Sequence, residues 1–354
     1  MTSDTSAARA LGERALPQER GPLAAIDMGS NSFRLEIAQL QRGHYRRIAY
    51  VKETVRLGAG LDEHGVLSEQ AMQRGLACLA RFSQRLHGHA PAPVRAVATQ
   101  TLREASNRDT FLAQARAVLG LPIEVISGRE EARLIYAGVT RLQPSDAARL
   151  VIDIGGRSTE MILGRGRVPL RAESFHVGSV SLSMKYFGDG RFTGAAFRAA
   201  QVAAGAELEE ALEAFAPAHW SAALGSSGTM SAVSQLLAAN GITDGRVTPG
   251  ALRWLMEQCL RAGSVERLAL PGLKEDRRAV IAGGLALLYA LVAHFGIAEL
   301  MPVRGALRQG VIFDLDERLQ AAADEHGGHA HGRPFAFAWQ SSCATHATSS
   351  IRRR

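Results

Sequence analysis

Along the chain, one pattern of apolar and polar positions occurs twice. In Val151-Ile152-Asp153-Ile154-Gly155-Gly156-Arg157-Ser158-Thr159-Glu160 an apolar run meets a carboxylate and passes into glycines and hydroxyls. It then resumes as Met161-Ile162-Leu163. The pattern predicts a strand, a tight turn and a second strand; glycines there allow positive φ and let backbone N–H groups approach a ligand closely. Ala25-Ile26-Asp27-Met28-Gly29-Ser30-Asn31-Ser32-Phe33-Arg34-Leu35-Glu36-Ile37 has the same order. At a constant offset of 126 residues, Ile26 matches Ile152, Asp27 matches Asp153, Gly29 matches Gly155 and Ser32 matches Ser158. An internal repeat decides architecture before detail does. This one predicts two similar α/β domains whose turns face each other across a cleft and clamp a phosphate chain from both sides.

Between and beyond the repeats the periodicity switches between 2 and 3.6. Leu23 to Leu40 forms the first hairpin and Ile48 to Val55 a third strand. Ser68 caps a helix whose apolar face is Met72, Leu76, Leu79, Phe82 and Leu86. Val94 to Ala98 is a buried strand that leads into a polar turn carrying Arg103, and Asn107 to Leu119 is a helix closed by Gly120. The strand Ile123 to Ile126 runs into Ser127-Gly128-Arg129-Glu130-Glu131-Ala132, where a helix begins with two acids. One of them complements the helix dipole; the other is free to point into the cleft as a base. His176, alone after the following strand region, is expected to be a structural histidine. Helices are expected over 193–215, 248–262 and 274–295, a strand over 299–303, and a last helix from Ala306 to near Leu319. The turn containing Gly225 and Gly228 opens a helix at Met230 and offers N-terminal amides to an anion, weakly when taken alone.

Composition narrows the function classes. The chain has 354 residues, enough for two domains, and 46% hydrophobic with 21% charged residues is a globular balance. No apolar run reaches the roughly 18 residues of a membrane span, and no P-loop signature is present. Nothing matches a zinc finger, a helix-turn-helix or an aromatic RNA platform, so no nucleic-acid partner is expected. Residues 1–20 are polar, without an apolar export core. Cys78, Cys259 and Cys343 are widely spaced, which argues against a disulfide framework or a cysteine zinc site. A cytoplasmic protein is therefore expected. The formal net charge is +7, and 38 of the 41 basic residues are arginine. Arginine suits phosphate oxygens, although a GC-rich genome yields the same bias.

Together these stretches resemble the exopolyphosphatase and guanosine pentaphosphate phosphohydrolase (Ppx/GppA) family, a branch of the actin-like, sugar-kinase and Hsp70 ATPase superfamily. The resemblance runs from about Leu23 to Leu319. It rests on Ile26–Phe33, Ala98-Thr99 with Leu102–Ala105, Ile126–Ile135, Asp153–Glu160, Gly225–Thr229 and Gly305–Gly310, in that order. It implies an α/β fold of two actin-like (ribonuclease H-like) domains around a central cleft. The expected division is a flexible leader at 1–20, domain I at 21–137, domain II at 138–320 and a disordered tail at 321–354.

The resemblance also implies Mg²⁺-dependent hydrolysis of a terminal phosphoanhydride. In the family the second Glu of Glu-Glu-Ala is the base, here Glu131, and the Asp and Glu of the second hairpin, here Asp153 and Glu160, are associated with the metal. The chemistry is compatible, because phosphoryl transfer is mostly positioning and charge neutralisation. Expected substrate contacts are Asp27, Gly29, Ser30, Asn31 and Ser32, then Gly155, Gly156, Arg157, Ser158 and Thr159, with Gly225 and Gly228. Arg34, Arg103 and Arg277 are candidates for holding the remainder of a chain. Arg157 departs from the family, which usually has glycine there. A side chain at a position needing positive φ would be strained and would obstruct substrate, or its guanidinium would add a phosphate contact. Long family members carry further helical domains; here a low-order tail is expected in their place, and a homodimer is one assembly open to the chain. The leading expectation is an exopolyphosphatase acting on inorganic polyphosphate. The alternatives are a pppGpp 5′-phosphohydrolase yielding ppGpp, and a regulatory protein that binds polyphosphate or (p)ppGpp without turnover.

Overall fold

The computed structural model of the chain describes residues 21–41, 43–89 and 92–327. The expected leader, 1–20, and residues 328–354 of the expected tail lie outside them. The first lobe comprises β1 (Leu23–Met28), β2 (Phe33–Gln41), β3 (His44–Glu53), α1 (Glu69–His87), β4 (Val94–Ala98), α2 (Gln100–Glu104), α3 (Arg108–Leu119), β5 (Ile123–Val125) and α4 (Gly128–Leu142). The second comprises β6 (Ala148–Ile154), β7 (Thr159–Arg165), β8 (Val168–Phe175), α5 (Ser179–Phe187), α6 (Gly194–Leu208), β9 (Ala222–Ser226), α7 (Ser227–Ala239), α8 (Pro249–Ala262), α9 (Glu275–Arg278), α10 (Ile281–His294), β10 (Leu300–Pro302) and α11 (Leu307–Gly327).

The two sheets have one topology. Their strand orders are β3-β2-β1-β4-β5 and β8-β7-β6-β9-β10. In each, the first three strands in sequence form an antiparallel meander and the last two add in parallel. The hairpin registers also coincide at the 126-residue offset: Ile26 opposes Leu35 as Ile152 opposes Met161. The fold is thus the pair of similar α/β lobes that the repeat predicts.

Alternation along β1 sends Ala24, Ile26 and Met28 into a core with Phe33, Met72, Phe82 and Phe111. The corresponding Leu150, Ile152 and Ile154 of β6 join a larger core with Phe197, Leu236, Leu255 and Leu287. In both hairpins the other face carries the carboxylates. Helix α10 is apolar nearly all round because α5, α6, α7 and α8 pack about it.

Several elements differ from the expectation. Residues 100–104 form the helix α2 where a polar turn was expected: Leu102 is fully buried, and Gln100 bonds Glu104 (2.6 Å) and Arg103 (3.0 Å) at helical spacings. The helix expected over 193–215 ends at Leu208, followed by a short 3₁₀ turn, and that over 274–295 divides into α9 and α10. The last helix continues to Gly327, so 321–327 are helical where disorder was expected. Ala321, Ala322 and Ala323 carry it by intrinsic propensity, without an apolar period to mark it.

Helices α4 and α11 cross backbone to backbone. A Cβ on Gly310 would fall on the Leu134 carbonyl, and one on Gly138 on the Ala306 carbonyl. Because the obstructing atoms are backbone, Gly310→Ala must push the helices apart. The expected cost is about 1–3 kcal/mol, measured as a lower thermal or denaturant midpoint.

Candidate functional site

The turns of the two hairpins meet. Gly156 lies so close to the first turn that a Cβ there would stand 3.0 Å from Ser30 Cβ. The first turn is held from behind by Gly58 N–H donating to Ser30 O (2.8 Å), Arg56 N–H donating to Asn31 O (2.9 Å) and Thr101 Oγ1 on Ser30 Oγ (2.7 Å). The second closes through Gly155 N–H to Ser158 O (2.9 Å). Asn31 Nδ2 and Ser32 Oγ are buried without a hydrogen-bond partner. Buried polar groups are ordinarily bonded, so two unsatisfied donors in one turn mark where a ligand's acceptors belong.

The repeat is geometrically faithful and electrostatically unequal. In the first ladder Asp27 lies directly opposite Arg34, which donates to it at 3.0 Å, and Arg308 Nη1 stands 3.6 Å away. The same ladder position in the second hairpin sets Asp153 opposite Glu160. Two acids facing each other across a strand pair repel. Asp153 accepts from Ser226 (2.7 Å) and Glu160 from Ser174 (2.8 Å), neither a cation, and Glu160 Oε2 is buried with no partner. Burial, first, raises both carboxyls above the usual range; Glu131 and Asp153 raise Glu160 further. The first hairpin pairs its own carboxylate with a cation; the second sets two acids face to face without an ion-pair partner, Arg34 and Arg308 acting on Asp153 only from a distance.

Which of the two acids at the start of α4 faces the cleft is now decided. Ser127 caps the helix, its Oγ accepting from Glu130 N–H (3.2 Å). Glu130 turns away and takes both arms of the Arg133 guanidinium (2.8 and 2.9 Å). Glu131 points into the cleft, only 7% exposed, and Arg103 Nη1 donates to it at 2.8 Å. Arg103 is itself fixed by Ile126 O (2.9 Å) and Gln100 Oε1 (3.0 Å). Burial lifts Glu131 to about 7; Arg103 opposes the rise, and Asp27 and Asp153 add to it. A carboxyl tuned to near neutrality in a cleft is suited to accept a proton.

The cleft between the lobes has a volume of about 1190 Å³. Its wall includes Asp27, Gly29, Ser30, Asn31, Ser32, Arg34, Glu131, Asp153, Gly155, Gly156, Ser158, Gly228 and Arg277, all expected from the sequence. It also includes Lys52, Lys274, Arg304 and Arg308, which sequence reasoning missed as site residues. Arg308 was visible within the Gly305–Gly310 stretch; Lys52, on a strand, gave no local signal. Lys52 bonds Asp276 across the lobes at 2.7 Å. Arg277 is largely buried, and that burial, followed by the repulsion of Arg34, lowers its pKa. A desolvated cation beside another cation is poised for an anion. Ser227, at the start of α7 on the same wall, holds φ at 105°, a strained position for a non-glycine residue.

Other expected contacts lie elsewhere. Arg103 and Glu160 stand behind the wall, Thr159 Oγ1 is spent on Val177 O (2.7 Å), and Gly225 is inside β9. Arg157 has no positive φ and does not line the cleft. Its Nε reaches Glu104 (2.7 Å) and its Nη1 the Gly58 carbonyl (3.3 Å), so it ties the lobes together; neither expected role, strained obstruction nor phosphate contact, is what it does. Partly exposed pairs contribute about 0–1 kcal/mol. Arg157→Gly should therefore lower stability by no more than that and leave the rate of phosphate release within a small factor. His176, its side chain 71% exposed, accepts a hydrogen bond at Nδ1 from Gln100 Nε2 (3.0 Å), which the tautomer protonated at Nε2 permits.

The comparisons place this geometry among known proteins. A family model described as the Ppx/GppA phosphatase family matches residues 36–319, beginning just after the first turn. A Haemophilus influenzae protein whose name assigns it provisionally to the exopolyphosphatases is 43% identical over 309 residues, covering 86% of this chain and 96% of that protein. A guanosine-5′-triphosphate,3′-diphosphate pyrophosphatase of Aeromonas hydrophila is 42% identical over 292 residues, covering 82% of this chain but 59% of that protein. The crystal structure of an exopolyphosphatase from Cytophaga hutchinsonii superposes with a TM-score of 0.76 at 26% identity, covering 84% of this chain and 98% of that one.

Proposed function

The chain belongs to the Ppx/GppA phosphatase family, and we propose that it is an exopolyphosphatase, releasing orthophosphate from the end of inorganic polyphosphate. The observation that carries the reading is Glu131: a buried carboxyl of near-neutral pKa, oriented by Arg103, in a cleft that also presents Asp153 and both glycine turns. The terminal phosphoryl group sits between the turns, where backbone N–H groups of 29–32 and 156–158 and the unsatisfied Asn31 and Ser32 donors meet its oxygens. Arg34, Arg277, Lys274 and Lys52 hold the following units as a line of positive charge. Glu131 takes the proton of a water that attacks the terminal phosphorus as the bridging P–O bond breaks, and the shortened chain leaves with that oxygen.

Among the described residues no cluster of three or more His, Cys, Asp or Glu is arranged to hold an ion unaided. Mg²⁺ asks for less, taking one or two carboxylates and completing its shell with water and phosphate oxygens. The unpaired acids Asp153 and Glu160, with the orphaned Glu160 Oε2, fit that demand. Held there, Mg²⁺ would neutralise charge developing on the phosphoryl oxygens. Among the described residues no helix is long and apolar enough to cross a membrane, and Cys78 and Cys259 are buried and unpaired. A reducing compartment, the cytoplasm, suits both thiols.

The same parts would serve a pppGpp 5′-phosphohydrolase, the activity nearest the name of the Aeromonas relative. The test is orthophosphate release from long-chain polyphosphate and from pppGpp in parallel, with Mg²⁺ and with a chelator. Faster, chelator-sensitive release from polyphosphate is expected. A strong preference for pppGpp would favour the second reading, and tight binding without release from either would replace hydrolysis by a binding role.

A further inference from the structure

A second cavity, about 420 Å³, shares no lining residue with the cleft. Three arginines line it, Arg103, Arg108 and Arg116, together with Ser127 and one acid, Asp109. Asp109 is 94% exposed and stands 3.8 Å from Arg108 Nε. Among the described residues, Arg108 Nη1 otherwise reaches the Arg103 carbonyl (3.4 Å) and Arg116 Nη2 the Ile123 carbonyl (3.5 Å). The cavity is therefore cationic on balance, three arginines against one acid. It is one ion pair away from the cleft: Arg103 lines it, and Arg103 Nη1 is 2.8 Å from Glu131, which lines the cleft.

Given the hydrolase reading, on which this inference rests, that position has a consequence. In-line attack puts water on the side of the terminal phosphorus opposite the chain. The water is held by Glu131, so orthophosphate is born beside Glu131 and Arg103 with the rest of the polymer still in the cleft. Leaving through the cleft requires the chain to move out first. We propose that the Arg103–Arg108–Arg116 cavity is the exit for orthophosphate: the product exchanges with Glu131 for Arg103 and passes to Arg108 and Arg116, while the chain stays bound and advances by one unit. This second anion site makes successive cleavage of a long chain possible without release.

The test uses the double variant Arg108→Glu/Arg116→Glu of the full chain; both side chains are exposed or half-exposed, and neither touches the cleft. Orthophosphate formed is read by acid quench and orthophosphate freed by a fluorescent phosphate-binding protein, with long-chain polyphosphate and with tripolyphosphate. Formation in the first turnover should match wild type. Release from long chains should slow about tenfold or more, the scale on which reversed local charge alters ion flux. Release from tripolyphosphate should stay near wild type, because its short leaving fragment soon vacates the cleft. Unaltered release from long chains, or equal slowing with both substrates, would overturn the exit. No acid-quenched orthophosphate from wild type would instead overturn the hydrolase reading beneath it.

Discussion

Glu131→Gln should lower the rate of orthophosphate release from polyphosphate by about 10²–10⁴-fold, the usual worth of a positioned general base. Glutamine keeps the shape and still offers an oxygen to Arg103, which retains its bonds to Ile126 O and Gln100. What disappears is the capacity to accept a proton. The loss should therefore fall on kcat, with KM within a few-fold of wild type, because Glu131 does not belong to the cationic line that holds the chain. Single-turnover kinetics separate the two. A loss confined to KM would mean that Glu131 only shapes the binding site.

The second large effect is expected at Asp153. Asp27 and Asp153 occupy equivalent places in the repeat, yet Asp27 is neutralised by Arg34 and Arg308 whereas Asp153 faces Glu160. Asp153→Asn removes one of the two charges available to a divalent cation and should cost about 10²–10³-fold in rate, comparable to losing one preorganised electrostatic contact. The half-saturating Mg²⁺ concentration should rise in parallel. Because the change also relieves repulsion with Glu160, the variant should unfold no earlier than wild type. An unaltered Mg²⁺ dependence would remove Asp153 from the cation site.

The architecture was legible because its signals are local. Alternating apolar residues, a carboxylate and glycines at a fixed offset specify two hairpins, and the strand registers reproduce that offset residue for residue. Even the electrostatic asymmetry is written at that offset, in Arg34 and Glu160, but its meaning depends on each lying opposite the aspartate of its own hairpin. Glu130 and Glu131 could not be told apart from sequence, since neighbours on a helix point about 100° apart and only packing fixes which one meets the cleft. Arg157 was misread because its partners, Glu104 and Gly58, come from the other lobe. Lys52 and Asp276 are 224 positions apart. The close crossing at Gly138 and Gly310 was visible only as a Gly-containing stretch whose purpose needed the second helix.

The most direct test of the mechanism is the pH dependence of kcat/KM for orthophosphate release from long-chain polyphosphate, in wild type and in Glu131→Gln. A base works deprotonated, and burial places Glu131 at about 7, so wild-type activity should fall about tenfold per pH unit below that value and level off above it. The glutamine variant should lack this limb at its low residual rate. A wild-type profile that declines as pH rises through 7, or the same acid limb persisting in Glu131→Gln, would contradict Glu131 as the base.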